Sequence, residues 1–260
     1  MGTNSNRPAA VVTGGRQGLG KGAAVALAHA GFDVVIVDLL QDEKLQQTIA
    51  EVESRGARAA FVRGDIADLD EQAALVESAW SVFGGIDCLV NNAGVAARPL
   101  RDVLEVKAEE FDRNITVNLR GTFFLTQKVA SRMIVARRTQ FHRSIIVVTS
   151  IAAGIVSLTR AEYCMSKAGL SMMTQIFATR LAQEGIHVHE IRPGLMRTEM
   201  TEGAAPQTAA LIDSGFVPMR RWGEPGDIGA TVSALATAAL PFTTGQSIFV
   251  DGGLHIPRIG

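Results

Sequence analysis

The sequence predicts an α/β protein: a doubly wound parallel sheet of about seven strands with helices on both faces, spanning residues 1–260 as a single domain. Three observations predict it. Short, almost unbroken apolar runs recur along the chain, as parallel strands buried on both faces require. Segments with apolar residues at helical spacing lie between them. Glycines stand where those segments should stop. Such alternation implies crossover connections and hence a parallel sheet.

In chain order the predicted strands are residues 9–12, 34–37, 60–62, 88–90, 144–149, 187–191 and 247–250. A helix follows the first strand from Lys21. The next covers 42–55, where Leu45, Ile49 and Val52 share one face. Asn118 falls in a helical stretch over 114–120. A long helix over 163–182 aligns Leu170, Met173, Phe177 and Leu181. Gly31, Gly56 and Gly185 mark helix ends. Two stretches break the rhythm. Residues 137–143, Arg-Arg-Thr-Gln-Phe-His-Arg, read as a solvated basic loop. Residues 195–222 follow the sixth strand and read as a substrate lid. Residues 1–7 read as a flexible tail.

Hydrophobic residues make up 47% of the chain and charged ones 20%, with a net charge of -1, so no nucleic-acid partner is implied. The five His are scattered and the two Cys, Cys88 and Cys164, stand apart. No metal site is expected, and both cysteines read as packing residues rather than a disulfide. Residues 1–8 lack the apolar stretch of a secretion signal, and no run is long enough for a membrane span. The expectation is a cytoplasmic protein with no membrane partner.

Two groups of residues carry chemistry. The first strand runs into Thr13-Gly14-Gly15-Arg16-Gln17-Gly18-Leu19-Gly20, ahead of a helix. Glycines allow a tight turn and close backbone approach, and a helix N-terminus offers amide donors to a pyrophosphate. Asp38, at the end of the second strand, is placed to accept from ribose hydroxyls. The pattern is a Rossmann-type dinucleotide site. The second group is Ser150, Tyr163 and Lys167. A spacing of four puts Tyr163 and Lys167 on one helix face. A phenol beside an ammonium is expected to have a lowered pKa, and a hydroxyl aimed at the same point can hold a carbonyl oxygen. That chemistry is proton transfer to or from a carbonyl or alcohol oxygen.

In order along the chain stand Thr13-Gly14-x-x-x-Gly18-x-Gly20, Asp65, Asn91-Asn92-Ala93-Gly94, Asn118, Ser150, Tyr163-x-x-x-Lys167 and Pro193-Gly194. Over essentially its whole length the chain therefore resembles the short-chain dehydrogenase/reductase family. Thr244-Gly245-Gln246 to Asp251-Gly252-Gly253 resembles the branch holding 3-oxoacyl-carrier-protein reductases and many sugar, polyol and alcohol dehydrogenases. The resemblance implies a role for each position. Tyr163 is the general acid or base. Lys167 binds the nicotinamide ribose and tunes Tyr163, Ser150 holds the substrate oxygen, and Asn118 anchors a water leading from Lys167 to solvent. Gly14, Arg16, Gln17, Gly18, Leu19 and Gly20 form the turn around the pyrophosphate. Asp65 and Ile66 lie at the adenine. Asn92, Ala93 and Gly94 line the adenosine ribose side, and Pro193, Gly194 and Thr198 hold the nicotinamide. The resemblance also implies a homotetramer.

NAD is expected over NADP, because Asp38 would repel a 2′-phosphate and Gln17 and Leu39 supply no cation. Arg16 is the one nearby cation. The reaction is hydride transfer at a secondary alcohol or carbonyl. Arg98 and Arg160 are candidate substrate residues, favouring a sugar, polyol or hydroxy acid. The alternative is a 3-oxoacyl-carrier-protein reductase, docked through Arg137, Arg138 and Arg143, against which Glu184 stands. A non-catalytic nucleotide-sensing protein on the same fold is the third reading.

Overall fold

In the computed structural model, residues 7–136 and 140–258 are described. The strands are β1 (Ala9–Thr13), β2 (Asp33–Asp38), β3 (Ala59–Arg63), β4 (Cys88–Asn91), β5 (Arg143–Val148), β6 (Ile186–Pro193) and β7 (Ser247–Val250). They form one parallel sheet in the order β3-β2-β1-β4-β5-β6-β7. The predicted fold class is the observed one. Six predicted runs fall inside their strands, and the run 144–149 is displaced by one residue.

Side chains alternate across the sheet, so each strand feeds two cores. Ala10 and Val12 join Leu27 of α1 (Gly18–His29), Leu45 of α2 (Glu43–Glu53) and Ile228 of α8 (Pro225–Ala236). Val11 joins Leu75 of α3 (Gln72–Phe83), Leu125 of α5 (Thr122–Val135) and Leu170 of α6 (Ala161–Leu181).

Helix boundaries differ from expectation for local reasons. α1 starts at Gly18 rather than Lys21, because extended Gln17 is its N-cap and two of the three glycines sit inside its first turn. α6 starts at Ala161, ahead of Tyr163. Asn118 lies in a widened π segment, Ile115–Gly121, between α4 (Ala108–Asn114) and α5. Such wide turns often accompany functional sites.

The basic loop is corrected in part. Arg137 and Arg138 lie outside the described residues. Arg143 is not solvated: it opens β5, is 8% exposed, and donates to the carbonyls of Met133 (2.6 Å) and Glu184 (2.7 Å). It closes orphan carbonyls at the ends of two helical segments, which a guanidinium does well. Residues 195–222 contain α7 (Ala205–Asp213) and anchor inward through buried Met196, Ile212 and Val217. Among the described residues no helix is long and apolar enough to cross a membrane.

The strand order reverses between β1 and β4. A cleft therefore opens beyond their C-terminal ends, where doubly wound sheets bind ligands.

Candidate active site

The first wall of the cleft is the turn after β1. Gly14 and Gly18 have φ of 64° and 57°, which L side chains rarely adopt. At Gly20 the reason is space: an added Cβ would collide with the Gly14 carbonyl oxygen and lie 2.5 Å from Asn92 Nδ2. Asn92 Nδ2 donates to the carbonyls of Thr13 and Gly14, each at 3.0 Å, while Thr13 Oγ1 accepts from the Asn92 and Ala93 amides. The turn after β4 thus holds the turn after β1. No side chain caps α1, so its first-turn amides remain available to an anion, and the backbone cradle fits a diphosphate.

Asp38 ends β2. Its Oδ1 accepts from the Leu39 amide at 2.9 Å, and its Oδ2 from the Arg16 amide at 3.4 Å. Arg16 Nη1 lies 2.5 Å from Asp42 Oδ2, and Arg16 Nε lies 3.6 Å from Asp38 Oδ1. Asp42 also caps α2, accepting from the Leu45 amide. The guanidinium that could meet a phosphate is already held by two carboxylates.

The opposite wall carries Tyr163 and Lys167. Lys167 Nζ donates to the Val148 carbonyl at 3.2 Å and lies 5.6 Å from the Tyr163 ring centre. Ser150 acts on the Tyr163 phenol from the end of β5, favouring its charged form. The expected lowering of the phenol is not what the structure shows. Burial pushes the Tyr163 pKa above its ordinary value, while Ser150 and the Arg160 charge pull it down less strongly. Burial also brings Lys167 down to about 8, against which Glu190 acts. Asn118 is fully buried; its Oδ1 accepts from the Val95 amide at 2.7 Å, and its Nδ2 donates to Val95 O and Ser166 Oγ, each at 3.0 Å. A Cβ on Gly94 would lie 3.0 Å from Asn118 Oδ1 and 3.7 Å from Lys167 Nζ, so all three meet at one point.

One cleft of about 240 Å³ brings most predicted residues together. Gly14, Arg16, Gln17, Gly18, Leu19 and Asp38 line one side. Asn92, Ala93 and Gly94 form its floor, and Tyr163, Lys167 and Thr198 face them. Others stand behind this lining. Gly20 packs under the turn, and Asn118 and Ser150 support Val95 and Tyr163. Gly194 abuts Asp251 at the end of β6, where the Gly194 amide donates to Val250 O, with Pro193 beside it. Asp65 is exposed and accepts from the Ala67 amide; Ile66 is buried, its carbonyl bonded by Gln72. Arg98 and Arg160 are both exposed. Arg98 donates to the Met200 carbonyl at 2.7 Å, and Arg160 to Ser157 Oγ at 3.3 Å. Neither lines the cleft, although the Arg160 charge reaches Tyr163.

Sequence reasoning missed Val95, Val148, Thr149, Glu199 and Met200, which also line it. Glu199 and Met200 belong to the segment anticipated as a lid. A larger groove of about 1250 Å³ runs along the outside of α1 and α8, and its Lys21 and Arg197 are paired with Glu51 and Glu224.

A backbone cradle that fits a diphosphate faces Tyr163 and Lys167 across one cleft, as expected of a pyridine-nucleotide oxidoreductase acting on hydroxyl or carbonyl groups of small molecules. Residues 14–255 match the family model described as enoyl-(acyl carrier protein) reductase, and the chain belongs to the short-chain dehydrogenase/reductase family. A solved 3-oxoacyl-(acyl-carrier protein) reductase from Brucella melitensis, in complex with NAD, is similar at 46% identity and TM-score 0.95, covering 98% of this chain and 100% of that one. The 3-oxoacyl-(acyl-carrier-protein) reductase FabG of Staphylococcus aureus is 32% identical over 95% of this chain and 98% of its own. The L-rhamnose 1-dehydrogenase (NAD(P)(+)) of a Sphingomonas species is also 32% identical, over 95% of each chain.

Proposed function

We propose that this chain is an NAD(H)-dependent reductase of 3-oxoacyl thioesters, with Tyr163, Lys167 and Ser150 as its catalytic group and Asn118 as their support. The observation that carries the reading is Tyr163 and Lys167, with Ser150 behind them, held against the glycine cradle in one cleft. When bound there, the nicotinamide supplies or accepts the hydride. In reduction, the C=O π bond breaks as hydride reaches carbon, and the Tyr163 phenol gives its proton to the oxygen. Ser150 holds that oxygen and polarises the carbonyl. Lys167, as an ammonium, offsets the phenolate left behind and holds a ribose hydroxyl. Asn118 carries the water path that returns a proton.

On this reading the turn residues Gly14 to Gly20 hold the diphosphate, with Asn92, Ala93 and Gly94 along the adenosine ribose. Asp65 and Ile66 close the adenine end; Pro193, Gly194 and Thr198 orient the nicotinamide, and residues 195–222 cover the substrate. NAD is favoured because Asp38 faces the ribose while Asp42 keeps Arg16 engaged, so a 2′-phosphate meets carboxylates and no unengaged cation.

The preference for a thioester over a sugar departs from the sequence expectation, which leaned on Arg98 and Arg160. Arg98 is spent on the Met200 carbonyl. Beside polar Thr149, Thr198 and Glu199, the cleft lining includes the apolar side chains of Val95, Val148 and Met200. The loop from Ser150 to α6 adds exposed Ile155, Val156 and Leu158. Such surface suits an acyl chain better than a polyol. Glu184, which stood against an acidic carrier, is paired with Arg180 at 3.2 Å. The similarity to carrier-protein reductases points the same way. The rhamnose dehydrogenase likeness keeps sugar oxidation as the second reading. Exposed Met165, Met172 and Ile176 along α6 support assembly into a homotetramer, and the reading places the enzyme in the cytoplasm.

The test is NADH oxidation with acetoacetyl thioesters on carrier protein and on a small thiol, beside NAD⁺ reduction with L-rhamnose and polyols. Turnover of a thioester supports the proposal; turnover of none of these compounds refutes it.

A further inference from the structure

Glu190 has no part in the roles assigned so far, yet it is a buried carboxylate that accepts from four different side chains. It sits in β6 at 1% exposure, on the face that packs against α6. Its Oε1 accepts from Thr149 Oγ1 at 2.6 Å and from Arg192 Nε at 2.9 Å. Its Oε2 accepts from Ser171 Oγ at 2.9 Å and from Ser247 Oγ. The donors come from the end of β5, from β6 itself, from α6 and from β7.

Two of these donors are neighbours of the catalytic trio. Thr149 directly precedes Ser150. Ser171 lies four residues after Lys167 and eight after Tyr163, along one face of α6. Three consecutive residues at the end of β5 thereby engage three different groups. The Val148 carbonyl takes a bond from Lys167, Thr149 donates to Glu190, and Ser150 favours the charged form of Tyr163. Fixing Thr149 and Ser171 to one carboxylate fixes the strand end carrying Ser150 against the helix carrying the other two.

Resting on the reading that Ser150, Tyr163 and Lys167 are catalytic, we propose that Glu190 is a positioning residue for them: through Thr149 and Ser171 it ties the β5 end, next to Ser150, to the face of α6 that carries Tyr163 and Lys167. Lys167 is 5% exposed, and burial alone would favour its neutral form. Glu190 acts in the opposite direction. Arg192, on its own strand, is the ion-pair partner of the carboxylate, and Lys167 on α6 is the group whose charge it favours; Asp251, at the end of β7, is turned to His255. Arg192 offsets part of the Glu190 charge. It also donates to Ser171 Oγ at 2.6 Å and lies over the Phe249 ring, which orients the carboxylate.

The test compares wild type, Glu190→Gln, Glu190→Asp and Ser171→Ala, using NADH and an acetoacetyl thioester, or whichever alcohol or ketone the wild type turns over. Glu190→Gln keeps the shape and removes the charge. Its kcat is expected to fall about tenfold, with KM for NADH nearly unchanged. The alkaline limb of its kcat/KM profile, which titrates the Tyr163–Lys167 pair, is expected to move down by about one pH unit, because an ammonium without its counter-charge loses its proton sooner. Glu190→Asp should restore the limb. Ser171→Ala keeps the charge and cuts one tie, so kcat should fall while the limb stays. Wild-type kcat in both Glu190→Gln and Ser171→Ala overturns the proposal even if thermal stability drops. If Glu190→Gln does not fold, wild-type kcat in Ser171→Ala overturns it instead. Lys167→Ala with undiminished turnover would show that the catalytic reading itself, rather than the role of Glu190, had failed.

Discussion

Strand β6 places two polar residues side by side on opposite faces of the sheet, and their surroundings differ completely. Glu190 points toward α6 and receives bonds from four side chains. His189 points toward α8, is equally buried, and leaves its Nδ1 without a partner among the described residues. Beyond it lie His187, with ring centres 6.3 Å apart, and His142, 4.6 Å from His187. Burial, with those two neighbours, brings the His189 pKa down to about 4. A buried charge is tolerable where every lone pair is met and a counter-charge stands near. An imidazole in the same strand without such partners stays neutral, and it becomes a liability wherever it must take up a proton. Under the proposed mechanism the face toward α6 serves proton chemistry, whereas the face toward α8 serves packing.

The sharpest way to break that contrast is to disable the α6 side. Tyr163→Phe keeps the ring volume and removes the proton donor, so kcat should fall at least about 10²-fold with NADH affinity nearly intact. Lys167→Ala should lower kcat and weaken NADH binding together, since the ammonium is assigned both jobs; a binding titration beside the kinetics separates the two. Raising the pH above about 8 should erode wild-type reduction as Lys167 loses its proton. A rate that held steady well above that value would deny the ammonium its role.

On the cofactor side, Asp38→Ala should narrow the preference for NADH over NADPH by about tenfold, or about 1.4 kcal/mol. Asp42→Asn should narrow it less, by freeing Arg16 toward a 2′-phosphate. The ratio of kcat/KM for the two cofactors decides both, and an unchanged ratio in Asp38→Ala would remove that residue as selector.

The smallest effect belongs to the α8 side. The unfolded His189 takes a proton near its ordinary 6.5, and the folded one only near 4. Between those values the unfolded chain binds the extra proton, so stability falls as pH drops through that window. Melting curves across it should show a steeper loss for wild type than for His189→Gln, with turnover at neutral pH little changed. Parallel curves would show that His189 is not the acid-sensitive group.

The same contrast explains what could be read from the chain alone. The cradle was legible because glycine answers a backbone demand: positive φ at Gly14 and Gly18, close approach at Gly20. Tyr163 and Lys167 were legible because helical spacing fixes their common face. Strands were legible because burial on both faces leaves apolar runs. Glu190 was not recognised, although a carboxylate inside His-Val-His-Glu-Ile was its signal; its partners lie on three other elements and only folding brings them together. The direction of the Tyr163 shift was misjudged for a related reason, since desolvation belongs to the tertiary structure while the neighbouring cation is written in the helix. Arg143 read as loop because its two carbonyl partners are distant in sequence. Val95, Glu199 and Met200 enter the cleft from connecting segments, where no periodicity predicts a facing.

The most direct test of the functional account is a steady-state comparison of kcat/KM for a 3-oxoacyl carrier-protein thioester with NADH against L-rhamnose, polyols and hydroxy acids with NAD⁺, run on wild type and Tyr163→Phe together. The account predicts that the thioester leads every polar alcohol by about tenfold or more and that the substitution removes at least about 10²-fold of that activity. A polar alcohol in first place would overturn the thioester assignment, and a Tyr163→Phe enzyme with near wild-type turnover would contradict the mechanism itself.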